Sequence, residues 1–199
     1  METAYNRSKF SWAEYFSNKK TGGHKYSTEE FLSKEANERL FHLGGGKTLL
    51  DFGCGAGELL KYYVLNYERA VGADFSSSML LEAEKKMCQQ NYKNVDLILA
   101  DDKTVWNKLN LKFDRITAAQ VVQYLTPQQL DTFIWNASNY LNEGGKIVLF
   151  DIIDPRVYPL WKYGWFSKNF KYWKTIPKLC IECYRWASAL LKGHPGDIT

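Results

Sequence analysis

The sequence predicts an α/β fold, a mainly parallel sheet with helices over both faces. Three observations predict it. Short apolar runs alternate with amphipathic segments from residue 48 to residue 152. Each run is nearly all apolar, the pattern of a strand covered on both sides rather than one. The first run leads into a loop with three alternating glycines, Gly53, Gly55 and Gly57. Such a junction suits a sharp backbone turn and the close approach of a ligand.

The elements follow in order. Residues 1–43 read as helical, with Ser27 and Glu30 as a capping box ahead of Phe31, Leu32, Ala36, Leu40 and Phe41. Gly44, Gly45 and Gly46 break that helix. Strands are expected at 48–52, 70–74, 95–100, 113–119 and 146–152, and helices at 58–66, 78–90 and 127–141. The last helix has the clearest start, with Thr126 as N-cap, Pro127 in the first helical position and Gln129 in the third. Gly144 and Gly145 turn the chain before the last strand.

Composition narrows the class. At 199 residues, 45% hydrophobic and 24% charged, the chain fits one globular domain with a sizeable core. That excludes disorder and a disulfide-stapled mini-protein. A net charge of +4 does not make the whole chain a polyanion binder. Met1 is followed by polar residues of mixed charge, with no basic stretch leading into an apolar run, so no signal peptide is expected. No apolar run is long enough to span a membrane. Cys54, Cys88, Cys180 and Cys183 are sparse for a secreted scaffold and read as reduced thiols in a cytoplasmic protein. Cys180 and Cys183 have only His194 nearby, short of the four ligands of a structural zinc, so no metal is expected.

The glycine loop carries the most information. It runs Asp51, Phe52, Gly53, Cys54, Gly55, Ala56, Gly57, from strand into helix. It is not the dinucleotide fingerprint, because counting that spacing from Gly53 puts Glu58 where the third glycine belongs. It is not a phosphate-binding P-loop either. Gly46, Lys47 and Thr48 imitate the end of one, but its first glycine would fall at Phe41, and the triplet precedes the strand.

The segment resembles motif I of the class I S-adenosylmethionine-dependent methyltransferases, and that family's other landmarks follow in sequence over about residues 48–152. The resemblance implies a Rossmann-like three-layer α/β/α sandwich binding S-adenosylmethionine. Asp74, ending the second strand 21 residues after Gly53, matches the acid that holds the ribose hydroxyls, with Phe75 beside it. Asp101 matches the acid that accepts from the adenine amino group, with Asp102 supplying backbone. Ala119 and Gln120 match the fourth-strand residues whose carbonyls meet the methionine ammonium group. The turn 141–145 matches the family's turn before strand five. On the residues alone, Asp74 can equally cap the next helix and Asp101 can be a strand-exit turn residue. Asp51 is expected either to brace the loop amides or to meet the ligand's ammonium group. Cys54 reads as a small residue tolerated in the loop.

The chemistry implied is in-line methyl transfer, in which the protein mainly positions two reactants. An oxygen nucleophile also needs a base, whereas an amine reacts once neutral. After strand four there is no Asn-Pro-Pro or Asp-Pro-Pro aromatic motif of adenine and glutamine enzymes, no Pro-Cys of cytosine C5 enzymes and no glutamate pair of protein-arginine enzymes. A hydroxyl or amine of a small molecule or saccharide remains as the expected acceptor. Gln123, Tyr124, Asp151 and Asp154 should face it beyond strands four and five. His24, on a glycine loop, and Asp154 are the candidate bases, while His42 suits a helix end.

The tail differs from the rest. Residues 156–192 hold eight Lys or Arg against the single acid Glu182, a net +7 that leaves −3 elsewhere. Ten aromatics interleave with them. A lid over the acceptor site is the expected role, with lysine stems lying along apolar surface. A membrane-surface contact with a lipid-linked acceptor is the alternative. No RNA-binding module is recognisable, so nucleic acid is not expected as a partner. The domain therefore divides into a helical cap at 1–46, a cofactor-binding core at 47–153 and a basic aromatic helical tail at 154–199. The family closes its sheet with two further strands, the last antiparallel. After Ile152 only 47 helical-looking residues follow, so a five-stranded parallel core is expected without that closing hairpin, as in a shortened form. A cofactor-binding protein without methyl transfer, acting through partners, is the alternative from another functional class.

Overall fold

A computed structural model describes residues 27–152. His24, Asp154, the Cys180–Cys183 pair, the basic aromatic tail and the remainder of the N-terminal cap lie outside the described residues. The described elements are helix α1 (Glu29–Leu43), strand β1 (Thr48–Phe52), helix α2 (Leu60–Tyr63), strand β2 (Arg69–Asp74), helix α3 (Ser77–Gln89), strand β3 (Val95–Leu99), strand β4 (Phe113–Ala119), helix α4 (Pro127–Asn139) and strand β5 (Leu141–Phe150). Short 3-10 turns occur at Trp106–Lys108 and Val122–Tyr124.

The five strands form one sheet in the order β3-β2-β1-β4-β5, and every neighbouring pair is parallel. Alternation along the strands makes two cores. Leu50 and Phe52 of β1, Val71 and Ala73 of β2 and Ile116 and Ala118 of β4 face one side, packed with Trp106, Phe133 and Ala137. Leu49 and Ala70 face the other, packed with Leu32, Ala36 and Leu43 of α1, Leu60 and Tyr63 of α2, and Met87 of α3. This is the three-layer, Rossmann-like arrangement expected from strands apolar on both sides.

Three elements depart from expectation, each for a local reason. Helix α1 is capped by Thr28, not Ser27; the Thr28 hydroxyl accepts from Phe31 N–H at 3.2 Å. Its inward stripe is Leu32, Ala36, Arg39 and Leu43, so Phe41 is 81% exposed rather than buried. The helix expected at 58–66 shortens to one turn. Asn94 Nδ2 ends it by donating to the carbonyls of Val64 and Tyr67, both at 2.8 Å. Strand β5 begins at Leu141, paired with Phe113, and the ladder resumes at Arg115 with Lys146. The two glycines thus form a bulge inside the strand rather than a turn before it, with Gly144 at φ 71. The strand ends at Phe150 because Asp151 adopts φ 53.

The expected start of α4 is found as described. Thr126 Oγ1 accepts from Gln129 N–H at 3.3 Å, and Gln129 Oε1 accepts from Thr126 N–H at 2.9 Å. His42 sits in the last turn of α1, as expected, its ring 6.3 Å from that of Phe150.

Candidate functional site

Strand order places the site. From β1 the chain winds outward through β2 to β3, then returns to the other side of β1 for β4 and β5. The connections after β1 and β4 therefore diverge at the carboxyl edge and leave a crevice there, the usual ligand position in parallel sheets. Register brings the sequence-predicted residues to that edge. Phe52, just before the glycine loop, lies between Ala73 and Ala118, Asp74 pairs with Leu99, and Ala119 with Phe150.

The loop needs its glycines for different reasons. Gly53 has φ 79, and an added Cβ would sit 2.2 Å from Val121 Cγ2 of the loop after β4. Gly57 has φ 72 and abuts Ala83 and Met87 of α3, 3.1 Å from where a Cβ would be. Gly55 has φ 55 and nothing within 4 Å of an added Cβ. The loop is thus clamped at both ends and open at its centre, a cradle with room for a ligand against backbone.

Asp74 is the clamp from β2. It is 7% exposed. Its Oδ2 accepts from Gly55 N–H at 2.9 Å and its Oδ1 from Ser76 N–H at 2.8 Å. Burial raises its pKa, opposed by these backbone donors. Asp74 therefore braces the loop and the entry of α3 at once, while Ser76 is the N-cap itself, accepting from Met79 N–H at 3.4 Å. Lys86 of α3 supports the other side, its Nζ donating to Ala56 O at 2.7 Å and to Glu58 Oε1 at 2.8 Å.

Asp51 does not brace the loop amides. Gly53 and Cys54 N–H donate instead to Ala73 O, at 2.7 and 3.1 Å, and Gly57 N–H to Cys54 O at 3.0 Å. Of the two roles expected for Asp51, the structure removes that one. Its carboxyl group is buried, and no hydrogen bond to it is found among the described residues. Burial pushes its pKa up to about 7, with Arg39 pulling down and Asp74 pushing further up. Thr117, its register partner on β4, has a buried hydroxyl with no partner among the described residues. Cys54 is half-buried, and desolvation, with Asp51 and Asp74, pushes its thiol well above the usual range. It is not a thiolate nucleophile.

The remaining expected residues divide. Asp101 Oδ1 holds its own turn, accepting from Lys103 N–H at 3.1 Å, Thr104 N–H at 2.9 Å and the Thr104 hydroxyl at 2.7 Å. Asp102 gives its carbonyl to Trp106 Nε1 at 2.8 Å and its Oδ2 to Gln129 Nε2 at 3.3 Å. Phe75 is partly exposed beside Asp74. Gln120 follows β4 in a left-handed conformation, φ 56. That conformation costs a non-glycine residue on the order of 1 kcal/mol. Gln123 Oε1, in the next turn, is buried with no partner among the described residues. No cluster of metal-ligating side chains is found among the described residues.

Sequence reasoning missed Arg39 and Lys86. Arg39 is only 4% exposed. The signal for it was present: counting inward from Leu32 and Ala36 at helical spacing reaches residue 39 before 43. An arginine at that phase reads as a surface residue unless its acidic partners are known, and one of them, Asp151, lies 112 residues away beyond β5.

The family described as "Methyltransferase domain" matches residues 50–147. Cyclopropane-fatty-acyl-phospholipid synthase of Escherichia coli (strain K12) is 31% identical over 128 residues, covering 63% of this chain and 31% of that protein. A probable (S)-tetrahydroprotoberberine N-methyltransferase 2 of Papaver bracteatum is 31% identical over 152 residues, covering 71% of this chain and 38% of that one. The chain thus spans about a third of the length of these relatives. Among solved structures, Haemonchus contortus phosphoethanolamine N-methyltransferase 1, in complex with phosphoethanolamine and S-adenosylhomocysteine, superposes with a TM-score of 0.61 at 17% identity. That match covers 73% of this chain and 31% of the other, and shows the shared fold.

Proposed function

Since the chain belongs to the class I S-adenosylmethionine-dependent methyltransferases, we propose that it transfers a methyl group from that cofactor to an amine of a small molecule or saccharide. One observation carries the reading. The loop Gly53–Gly57 is clamped at its ends, open over Gly55, and begins two residues after the buried Asp51 of β1. When bound, the cofactor supplies an electrophilic methyl group on a sulfonium. Gly55 would offer it unhindered backbone, Asp74 would hold its ribose, and Asp51 would offer a carboxylate to its ammonium group. Ala119 and Gln120 would offer carbonyls to the same group, and Asp101 and Asp102 would hold its adenine.

The relatives named as N-methyltransferases support nitrogen over oxygen. So does chemistry, because a neutral amine reacts without a base whereas a hydroxyl needs one. His24 and Asp154 remain the proposed base or acceptor clamp. The test is calorimetry of the full chain with S-adenosylhomocysteine, followed by an acceptor screen with labelled methyl donor. Its arms are free amines, saccharides and amines presented on phospholipid vesicles. Binding is expected, with Asp74→Ala weakening it by about tenfold or more, the scale of a lost charge-assisted hydrogen bond. Absence of binding, or full affinity in Asp74→Ala, would sink the reading. Label on vesicle-borne amines alone would move the acceptor to a membrane surface and give residues 156–192 that role.

A further inference from the structure

The buried Arg39 of α1 anchors a polar network that reaches the exposed Asp151 and Gln120 and that the proposed transfer does not itself require. Arg39 Nη2 donates to Asp151 Oδ2 at 2.5 Å and to Glu35 Oε1. The guanidinium lies over the Phe150 ring, 5.3 Å from its centroid, and its charge reaches the Tyr63 hydroxyl. Asp151 Oδ2 accepts in turn from Gln120 Nε2 at 3.4 Å, and Gln120 N–H donates to Phe150 O at 3.1 Å. Gln120 and Asp151 leave adjacent strands, and both are non-glycine residues at positive φ, 56 and 53. Such conformations persist where surrounding contacts over-determine them, and they gather at functional sites. A buried arginine is costly unless its partners are well placed. An apolar residue at position 39 would pack α1 on the sheet without any of this.

We propose that Arg39 is a positioning residue that ties α1 to the cofactor site, holding Gln120 through Asp151 on one side and presenting its charge to Asp51 on the other. The proposal rests on the cofactor-binding reading of the crevice. Its two arms end on the residues assigned there to the ammonium group: Gln120 by its carbonyl, Asp51 by its carboxylate. Asp51 shares its surroundings with Arg39 from α1, Cys54 from the loop, Tyr63 from α2 and Asp74 from β2. Arg39 is the one cation among them, and its field lowers a carboxyl pKa that burial raises to about 7. Affinity for an ammonium-bearing ligand should therefore rise with pH through that region, and Arg39 should set where it rises.

The experiment measures S-adenosylhomocysteine affinity of the full chain by calorimetry from pH 6 to pH 9, with thermal unfolding in parallel. The wild type, Arg39→Met, Arg39→Lys, Asp151→Asn and the Arg39→Met/Asp151→Asn double variant are compared. Arg39→Met is expected to weaken binding about tenfold or more near neutrality and to shift the pH midpoint upward. Arg39→Lys should restore the midpoint, because it restores the charge, but only part of the affinity, because it loses the forked geometry. The double variant should bind no more weakly than Arg39→Met alone. If Arg39→Met fails to fold, Arg39→Lys set against Asp151→Asn, whose side chain is half-exposed, makes the same comparison. An unmoved midpoint, or additive losses in the double variant, overturns the proposal while leaving the reading of the crevice intact. A wild type that does not bind overturns both.

Discussion

Asp51 is a carboxyl group without a hydrogen bond from the described residues, and that makes its charge state a stability question. Its pKa is raised from 3.8 to about 7, chiefly by burial. Between those values the native state binds more protons than the unfolded chain. Stability should therefore fall as pH rises through that window, with the full loss above it. Asp51→Asn removes the penalty. The variant should gain thermal stability over the wild type at pH 8, by a few kcal/mol at most, and much less at pH 5. Melting curves at the two pH values check this; an equal gain at both would contradict a burial-driven shift. The sequence located Asp51 but left its role divided between loop amides and a ligand. Only the fold shows that Ala73 and Asp74 take the amides. Arg39 was not legible, because Glu35, Asp151 and Tyr63 converge on it from three places in the chain.

At the scale of elements, legibility followed how local the cause was. The start of α4 depends on Thr126, Pro127 and Gln129 alone, and it stands where the sequence puts it. Thr126→Ala should cost about 1 kcal/mol, measurable by denaturant unfolding, because Gln129 N–H loses its side-chain acceptor. A cost near zero would mean the capping box is redundant with the tertiary packing. The start of β5 depends instead on which residue of β4 it meets. Phe113 pairs with Leu141 before the bulge, so a glycine pair that reads as a turn is drawn into the ladder. Helix α2 is shortened by Asn94, which sits beyond β2 in the chain and cannot be seen from the helix's own pattern.

For the molecule as a whole, the five parallel strands and the two apolar layers were legible from alternating segments apolar on both sides. One of the two apolar layers is centred on aromatic side chains. Phe133 packs on Phe52 at 4.9 Å and Trp106 at 5.4 Å between ring centroids, bridging α4 to the centre of the sheet. Phe133→Ala should cost about 3–5 kcal/mol, read as a lowered unfolding midpoint, since it opens a cavity where three elements meet. A loss under 1 kcal/mol would mean that the layer collapses to refill it. Strand order carries one more consequence, for the way the chain is made. As the polypeptide leaves the ribosome, β1 can pair with β2, and β2 with β3, from neighbouring sequence. The other edge of β1 must wait until β4 has emerged, with the whole of α3 and β3 synthesised in between. During that interval β1 offers a raw strand edge and an uncovered face bearing Leu50 and Phe52, a target for chaperones and for wrong pairing alike.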